Sequence, residues 1–330
     1  MSEQVNSYSA IPRRGLLAGI AGLGPLAAAA PMQAQAQAQA ARPTVLGTTG
    51  MIGDLLRGVG GPAITVETLI GEGVDPHLFR PTRNDIARIL RADALFYNGH
   101  RLEGRMHEVL ERAASQGKPS LAVAEAIPRA RLRQHEDYPD AADPHLWMDP
   151  ALWAETLPAI AATLGRLPRL NRDLQAGAAE TRARLHRLDA YAREVLAPIP
   201  AERRVLVTAH DAFAYFGLRY EFRVESIQGL STEAEASLAR IEAMVRLIVE
   251  RQLPALFTES SVPDRAVRAL VEGVAARGHQ IRLGGTLFSD SMGRPGTYRG
   301  TYEGMMDHNI TLISRALGGS APERGLNGRL

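Results

Sequence analysis

The chain has 330 residues, 45% of them hydrophobic and 22% charged, a balance that excludes a disordered or fibrous protein. At roughly 150 residues per domain, that length favours two domains over one. Lys and Arg total 38 against 36 Asp and Glu, and a net charge of +2 gives no electrostatic footprint for nucleic acid, so none is expected among the partners. Cysteine is absent, which removes disulfides, thiolate metal sites, cysteine nucleophiles and iron–sulfur clusters, and argues against an acyl anchor.

The N-terminus places Arg13 and Arg14 before a Gly/Ala-diluted apolar stretch, followed by an Ala/Gln repeat. A charged start, a short apolar run and small residues define an export signal, here resembling the twin-arginine type. Residues 1–40 are read as that signal plus a low-complexity tail, with cleavage near Ala36 to Ala40 and a periplasmic destination.

From Pro43 onward, short β-branched runs alternate with helical patterns. The first strand set is expected at 44–47, 64–69, 94–98 and 120–123, the second at 204–208, 220–226, 255–258 and 280–283. Helical patterns cover 82–90, 102–115, 151–164, 237–252 and 263–277. Such alternation builds parallel sheets from βαβ units. Between the sets, residues 171–195 carry Leu174, Ala178, Thr181, Leu185, Leu188, Ala192 and Val195 on one helical face, with Asn171 as the expected N-cap. One long helix joining two α/β lobes is the economical reading. Gly177 is its weak point, and Gly177→Ala is expected to stabilise the protein modestly.

Nine histidines are present. His107, His135, His186, His279 and His308 sit among charges or on amphipathic patterns, and no role is assigned to them. Asp75-Pro76-His77 and Asp143-Pro144-His145 repeat one triplet, in which proline stiffens the turn that presents the imidazole. His210 follows the strand at 204–208, and Asp290 lies in a small-residue loop beyond the strand at 280–283. Glu259 also ends a strand. Ligands of open parallel sheets bind at the carboxyl ends of strands. Three imidazoles and a carboxylate make a donor set suited to Zn²⁺ or Mn²⁺.

Six blocks carry a resemblance to a known family: GEGVDPHLFRPTRNDIARILRADALFYNGHRLE, DPHLWMDP, TAHDAFAYFGLRY, ESIQGLSTEAEAS, FTESSVPDRAV and LFSDSMG. In order and spacing they resemble the TroA-like zinc/manganese solute-binding proteins of ABC importers, from Thr44 to about Leu317. The resemblance implies an α/β fold of two lobes, each a four-stranded parallel sheet flanked by helices, joined by one long rigid helix. The boundaries would be 43–168, 169–197 and 198–330. It implies metal ligands at His77, His145, His210 and Asp290. A metal-bound imidazole has its second ring nitrogen held by a carboxylate or carbonyl, and Glu259 and Asp211 are the candidates for that supporting role. One Zn²⁺ or Mn²⁺ would be carried as cargo to an ABC permease by a monomer without an acyl anchor. His100 stands where the family usually has an apolar residue and is read as a surface or pocket-edge substitution. Zinc-dedicated members often carry a His-rich loop between the first two ligands; here RARLRQHEDYPDAAD holds His135 alone. A secreted metallohydrolase is the rival reading, but four protein ligands close the site to water and no H-E-x-x-H motif is present. A metal-dependent adhesin on the same fold is the third, since fold does not fix function.

Overall fold

The first apolar run forms β1 (Thr44–Gly47), and α1 (Gly50–Gly60) follows within three residues, capped by Thr49 Oγ1 accepting from Ile52 N. The computed structural model describes residues 42–135, 139–168 and 170–330, so the export signal read over 1–40 lies outside the described residues. Then come β2 (Thr65–Thr68), α2 (Arg83–Arg91), β3 (Ala94–Tyr97), α3 (His107–Ala114) and β4 (Ser120–Ala122). The four strands form a parallel sheet of order β2-β1-β3-β4, with Val45 opposite Val66 on one side and Ala94 on the other. β3 is buried throughout because helices cover both faces. Thr82 and Asp85 build a capping box on α2. Lys118, the sole lysine of the chain, donates to the carbonyls of Ile89, Leu90 and Ala92 at the other end of α2.

The expected helix over 151–164 is two helices, α4 (Pro150–Ala154) and α5 (Leu157–Leu164). Pro158 cannot donate to the turn before it, so a new helix begins at Leu157. The long helix α6 spans Leu174–Leu196, and its N-cap is Asp173, which accepts from Ala176 N at 2.9 Å, rather than Asn171. The apolar face read from the sequence is the face it buries, with Leu174 half-exposed at its start. That face packs on α1, α4 and α5, so α6 is part of the core and not a free connector. Gly177 corrects the stability expectation. A Cβ there would stand 2.4 Å from the Val59 carbonyl oxygen, so alanine would force the helices apart.

The second half runs β5 (Val205–Thr208), α7 (Ala214–Tyr220), β6 (Arg223–Ser226), α8 (Leu238–Arg251), β7 (Ala255–Glu259), α9 (Arg265–Ala275), β8 (Arg282–Leu287) and α10 (Tyr302–Leu317). Its strands pair as two parallel ladders, β5 with β6 and β7 with β8, and β5 lies beside β7 without forming a ladder with it. The continuous four-stranded sheet expected here is therefore split. A register shift between Leu256 and Phe257 accompanies the break, beside Gly284, which leaves room for the Phe257 ring, and Gly285 at φ 128°. One apolar cluster runs through both halves, from Val45 and Phe96 past Trp147, Leu185 and Leu188 to Leu206, Phe213 and Ile310. Among the described residues, no helix is long and apolar enough to cross a membrane.

Candidate metal centre

Each half contributes two side chains from loops at the carboxyl ends of its strands, as expected of an open parallel sheet. His77 follows β2, and Asp75 Oδ1 accepts from its backbone N–H at 2.8 Å, which fixes the Asp-Pro-His turn. His145 sits in the same turn, Asp143 Oδ1 accepting from its N–H at 3.0 Å. His210 lies two residues beyond β5, and Asp290 three beyond β8. One donor atom from each of the four lies within 4.8 Å of all the others, and all four residues are buried.

His77 Nε2 and His145 Nε2 stand 3.4 Å apart. Asp290 turns Oδ1 to His145 Nε2 at 3.6 Å and Oδ2 to His77 Nε2 at 3.7 Å and His210 Nε2 at 3.0 Å. Donors each about 2 Å from one ion in a tetrahedron stand about 3.3 Å from one another; these separations of 3.0–3.7 Å bracket that value, within a set whose members all lie within 4.8 Å of one another. Both Asp290 oxygens and His210 Nε2 are buried with no hydrogen-bond partner outside the cluster itself. Leaving such atoms unpaired costs roughly 1–3 kcal/mol each, a cost that coordination to a cation removes.

Second hydrogen bonds orient two of the rings. Glu259 accepts from the backbone N–H groups of Ala209 at 2.7 Å and His210 at 2.9 Å, and its other oxygen holds His210 Nδ1. Asp143 Oδ1 faces His145 Nδ1 at 2.8 Å, while Arg133 donates to Asp143 Oδ2 at 2.8 Å. Carboxylates on Nδ1 leave Nε2 as the metal-facing lone pair. Burial pushes the His77 pKa down to about 3, against a smaller upward pull from Asp290, so this imidazole is neutral and ready to coordinate at any ordinary pH. Burial also opposes charge on His210, but Glu259 and Asp290 outweigh it and raise its pKa well above the usual value. Burial would raise the Asp290 pKa, yet the three imidazoles, His210 foremost, hold it far below the usual carboxylate range.

The four residues chosen from the sequence thus converge. Of the two carboxylates expected to support them, Glu259 touches a ligand, whereas Asp211 faces Arg133 at 3.8 Å. Asp143 was missed, although the Asp-Pro-His triplet places it two residues before His145. Asn98 was missed too: its Nδ2 donates to the Pro144 carbonyl at 3.0 Å, holding the backbone next to the ligand. Glu103, fully buried, accepts from Asn98 N at 2.6 Å and Thr48 Oγ1 at 2.7 Å and fixes that turn. His100 is half-buried at φ 48°, and its Nδ1 accepts from Ala142 N at 3.3 Å, so it ties the turn after β3 to the backbone just before the second Asp-Pro-His triplet. His135 is 5% exposed and, with His77, lines a cavity of about 180 Å³.

A buried cluster of three imidazoles and a carboxylate in an α/β fold defines a metal-binding protein, and similarity to known proteins narrows the class. The family model described as zinc-uptake complex component A, periplasmic, matches residues 45–316, and the chain belongs to this family. Members of it are components of uptake complexes rather than enzymes, which removes the metallohydrolase reading. The chain is 42% identical over 274 residues to the manganese-binding lipoprotein MntA of Bacillus subtilis, covering 83% of this chain and 89% of that one. It is 42% identical over 277 residues to the zinc-binding protein TroA of Treponema pallidum, covering 84% and 89%. The solved structure of that periplasmic zinc-binding protein superposes with a TM-score of 0.80 over 84% of this chain and 99% of that one.

The relatives correct one expectation. MntA of Bacillus subtilis, at 42% identity, and SloC of Streptococcus mutans, at 27%, are named as lipoproteins, so similar proteins include acyl-anchored ones and an anchor-free chain does not follow from the family. The absence of cysteine bears on thiol-linked chains alone and says nothing of other means of attachment.

Proposed function

We propose that this protein captures one divalent transition-metal ion, Zn²⁺ or Mn²⁺, through His77, His145, His210 and Asp290 and delivers it to an ABC permease from the periplasmic side of the membrane. The observation that supports this most directly is the convergence of four buried donors from both halves, with both oxygens of Asp290 otherwise unpaired. Glu259 orients His210, with Asp211 further out beside the Arg133–Asp143 pair. Residues 43–168 and 198–330 act as two metal-binding lobes joined across 169–197, which puts the ion where both lobes hold it. Relatives with 42% identity are named for manganese in one case and zinc in the other, which supports the ion class without choosing within it. A typical site prefers zinc to manganese in vitro, so the cargo is decided by which ion is available. Metal analysis of protein isolated directly from the periplasm is the test. One equivalent of Zn²⁺ or Mn²⁺ in the wild type, lost in His210→Ala, is expected; a metal-free wild type that also fails to take up either ion by titration overturns the reading.

A further inference from the structure

Two of the three imidazoles have a carboxylate behind them, and the two carboxylates stand in different surroundings. Glu259 meets His210 Nδ1 with one oxygen and the backbone N–H groups of Ala209 and His210 with the other. Among the described residues, no arginine or lysine pairs with it. Asp143 meets His145 Nδ1 with Oδ1 at 2.8 Å, but its Oδ2 accepts from the Arg133 guanidinium, also at 2.8 Å. The Asp143 side chain is fully buried, whereas that of Arg133 keeps 32% of its surface accessible. Backbone and phenol hold this pair together. Asp143 N donates to the Arg133 carbonyl at 2.8 Å, and Gln134 and Ala142 form an antiparallel bridge one step further along. Buried Tyr215, from the second half, accepts from Arg133 N and donates to the Asp143 carbonyl, both at 3.1 Å. Residues 133 and 143 thus close the base of the short loop that precedes His145. The other acid facing Arg133 is Asp211, at 3.8 Å.

We propose that Arg133 sets the ion preference of the site: its guanidinium draws on charge that Asp143 would otherwise lend to His145, which makes His145 a weaker donor than His210 and narrows the lead of Zn²⁺ over Mn²⁺. A carboxylate behind a metal-bound imidazole strengthens the ring as a donor, and a cation on the second oxygen of that carboxylate takes part of the effect away. Zn²⁺ gains more than Mn²⁺ from a strong nitrogen donor, since Mn²⁺ stands at the foot of the binding order and suits oxygen ligands. A site in which both supported imidazoles act at full strength would favour Zn²⁺ more steeply than one in which His145 is held back. The guanidinium also places a positive charge near the ion. That charge acts alike on two ions of equal charge, so it changes affinity without choosing between them. Arg133 works through Asp143 and His145 and touches no ion itself.

Selectivity presupposes the metal binding proposed above, and one set of titrations separates the two. On the full chain, Kd for Zn²⁺ is measured by competition with a chromophoric chelator, and Kd for Mn²⁺ by electron paramagnetic resonance of the free ion. Arg133→Gln keeps a hydrogen-bond donor and removes the charge. It should bind Zn²⁺ about tenfold tighter than wild type and Mn²⁺ at most about threefold tighter, so the preference for Zn²⁺ rises by at least about threefold. Arg133→Lys restores a point charge on the single Oδ2 contact and should return the preference to within about twofold of wild type. In an Asp143→Asn background the same Arg133→Gln change should move the preference by less than about twofold, because the guanidinium acts through the carboxylate. A merely structural role gives the opposite sign, with both ions bound more weakly and in proportion. An unchanged preference in Arg133→Gln overturns the proposal, as does a change that lysine does not reverse or that survives in full in Asp143→Asn. Should Arg133→Gln fail to fold, Asp143→Asn alone decides: Zn²⁺ binding should weaken more than Mn²⁺ binding, and an equal loss for both overturns the proposal. A wild type that binds neither ion defeats the binding reading instead.

Discussion

Four side chains face one point, and each stands in a different electrostatic relation to it. Removing any one leaves three donors and a water where a tetrahedral set stood. His77→Ala, His145→Ala, His210→Ala and Asp290→Ala are each expected to weaken Zn²⁺ binding by at least about 100-fold, more than the 10–100-fold typical of losing an outer-shell partner. Competitive titration against a chromophoric chelator measures this. Glu259→Gln should fall within that outer range, because the His210 ring stays in place while its basicity drops. The raised His210 pKa also sets a pH dependence. Its proton, held by Glu259 and Asp290, must leave before Nε2 can coordinate, whereas His77 has none to lose above about pH 3. Below the His210 value, affinity should therefore fall about tenfold for each unit of acidification, and binding should release close to one proton, read by calorimetry in buffers of different ionisation enthalpy. For the metal-free fold the sign is opposite. A histidine with a raised pKa stabilises the fold below its ordinary value near 6.5, and that contribution is lost as pH rises through the folded value.

Elements show where sequence reasoning succeeds and where it stops. Strand runs and the apolar stripe of α6 were legible because burial imposes a period on the residues themselves. The three histidines were legible as candidates because Asp-Pro-His turns and strand ends put particular residue types at particular places, whereas the choice of Asp290 over Glu259 rests on the resemblance to the family. Other features depend on a partner remote in sequence. Asp143 and Asp211 are both acids near a ligand, and nothing local says which one reaches an imidazole; the Arg133 side chain and the turn geometry decide. The register shift within the β7–β8 ladder and the missing ladder between β5 and β7 are pairings between remote segments, which composition does not announce. Gly177 is the sharpest case. Within its own helix it reads as a weak point, yet it sits there because α1 passes so close that the Val59 carbonyl occupies the space of a side chain. Gly177→Ala is accordingly expected to destabilise the protein by about 1–3 kcal/mol, the usual cost of overpacking, in spite of the gain in helix propensity. Equilibrium urea unfolding of the metal-free protein checks the sign; a midpoint above wild type contradicts the close approach of α1 and α6.

At the scale of the whole molecule, binding and folding are linked but separable. Residues 42–330 form one unit with an apolar cluster that spans both halves, so the fold does not wait for the ion. An ion that binds the native state alone adds RT ln(1 + [L]/Kd), about 4 kcal/mol at a thousandfold excess over Kd. For a chain of this size that corresponds to a thermal midpoint raised by about 8 °C, with far-UV circular dichroism unchanged on chelation. The same cluster limits how far the halves can part. Trp147 Nε1 donates to the Ser289 carbonyl at 2.9 Å, Tyr302 donates to the Trp147 carbonyl at 2.6 Å, and Tyr215 donates to the Asp143 carbonyl at 3.1 Å. These bonds cross from one half to the other beside the ligands. Helix α6 has no proline and is fixed along its length by α1, α4, α5 and α10, so it offers no kink about which to bend. Opening by tens of degrees would break the crossing bonds, at roughly 1 kcal/mol each, and expose Trp147 and Phe213, at roughly 1.5–3 kcal/mol for each large side chain. Moving the 231–233 segment breaks the Thr232–Asp75 hydrogen bond and the exposed Arg105–Glu233 contact at 3.8 Å, and uncovers no large apolar side chain of its own. The lower-energy motion is the local one. Small-angle scattering of metal-free and Zn²⁺-loaded protein should give the same radius of gyration, while hydrogen exchange should slow on loading around residues 71–77 and 229–237. A change in the radius of gyration large enough to require hinge closure would mean that the shared core comes apart with each cycle, and the rigid role assigned to α6 would fall with it.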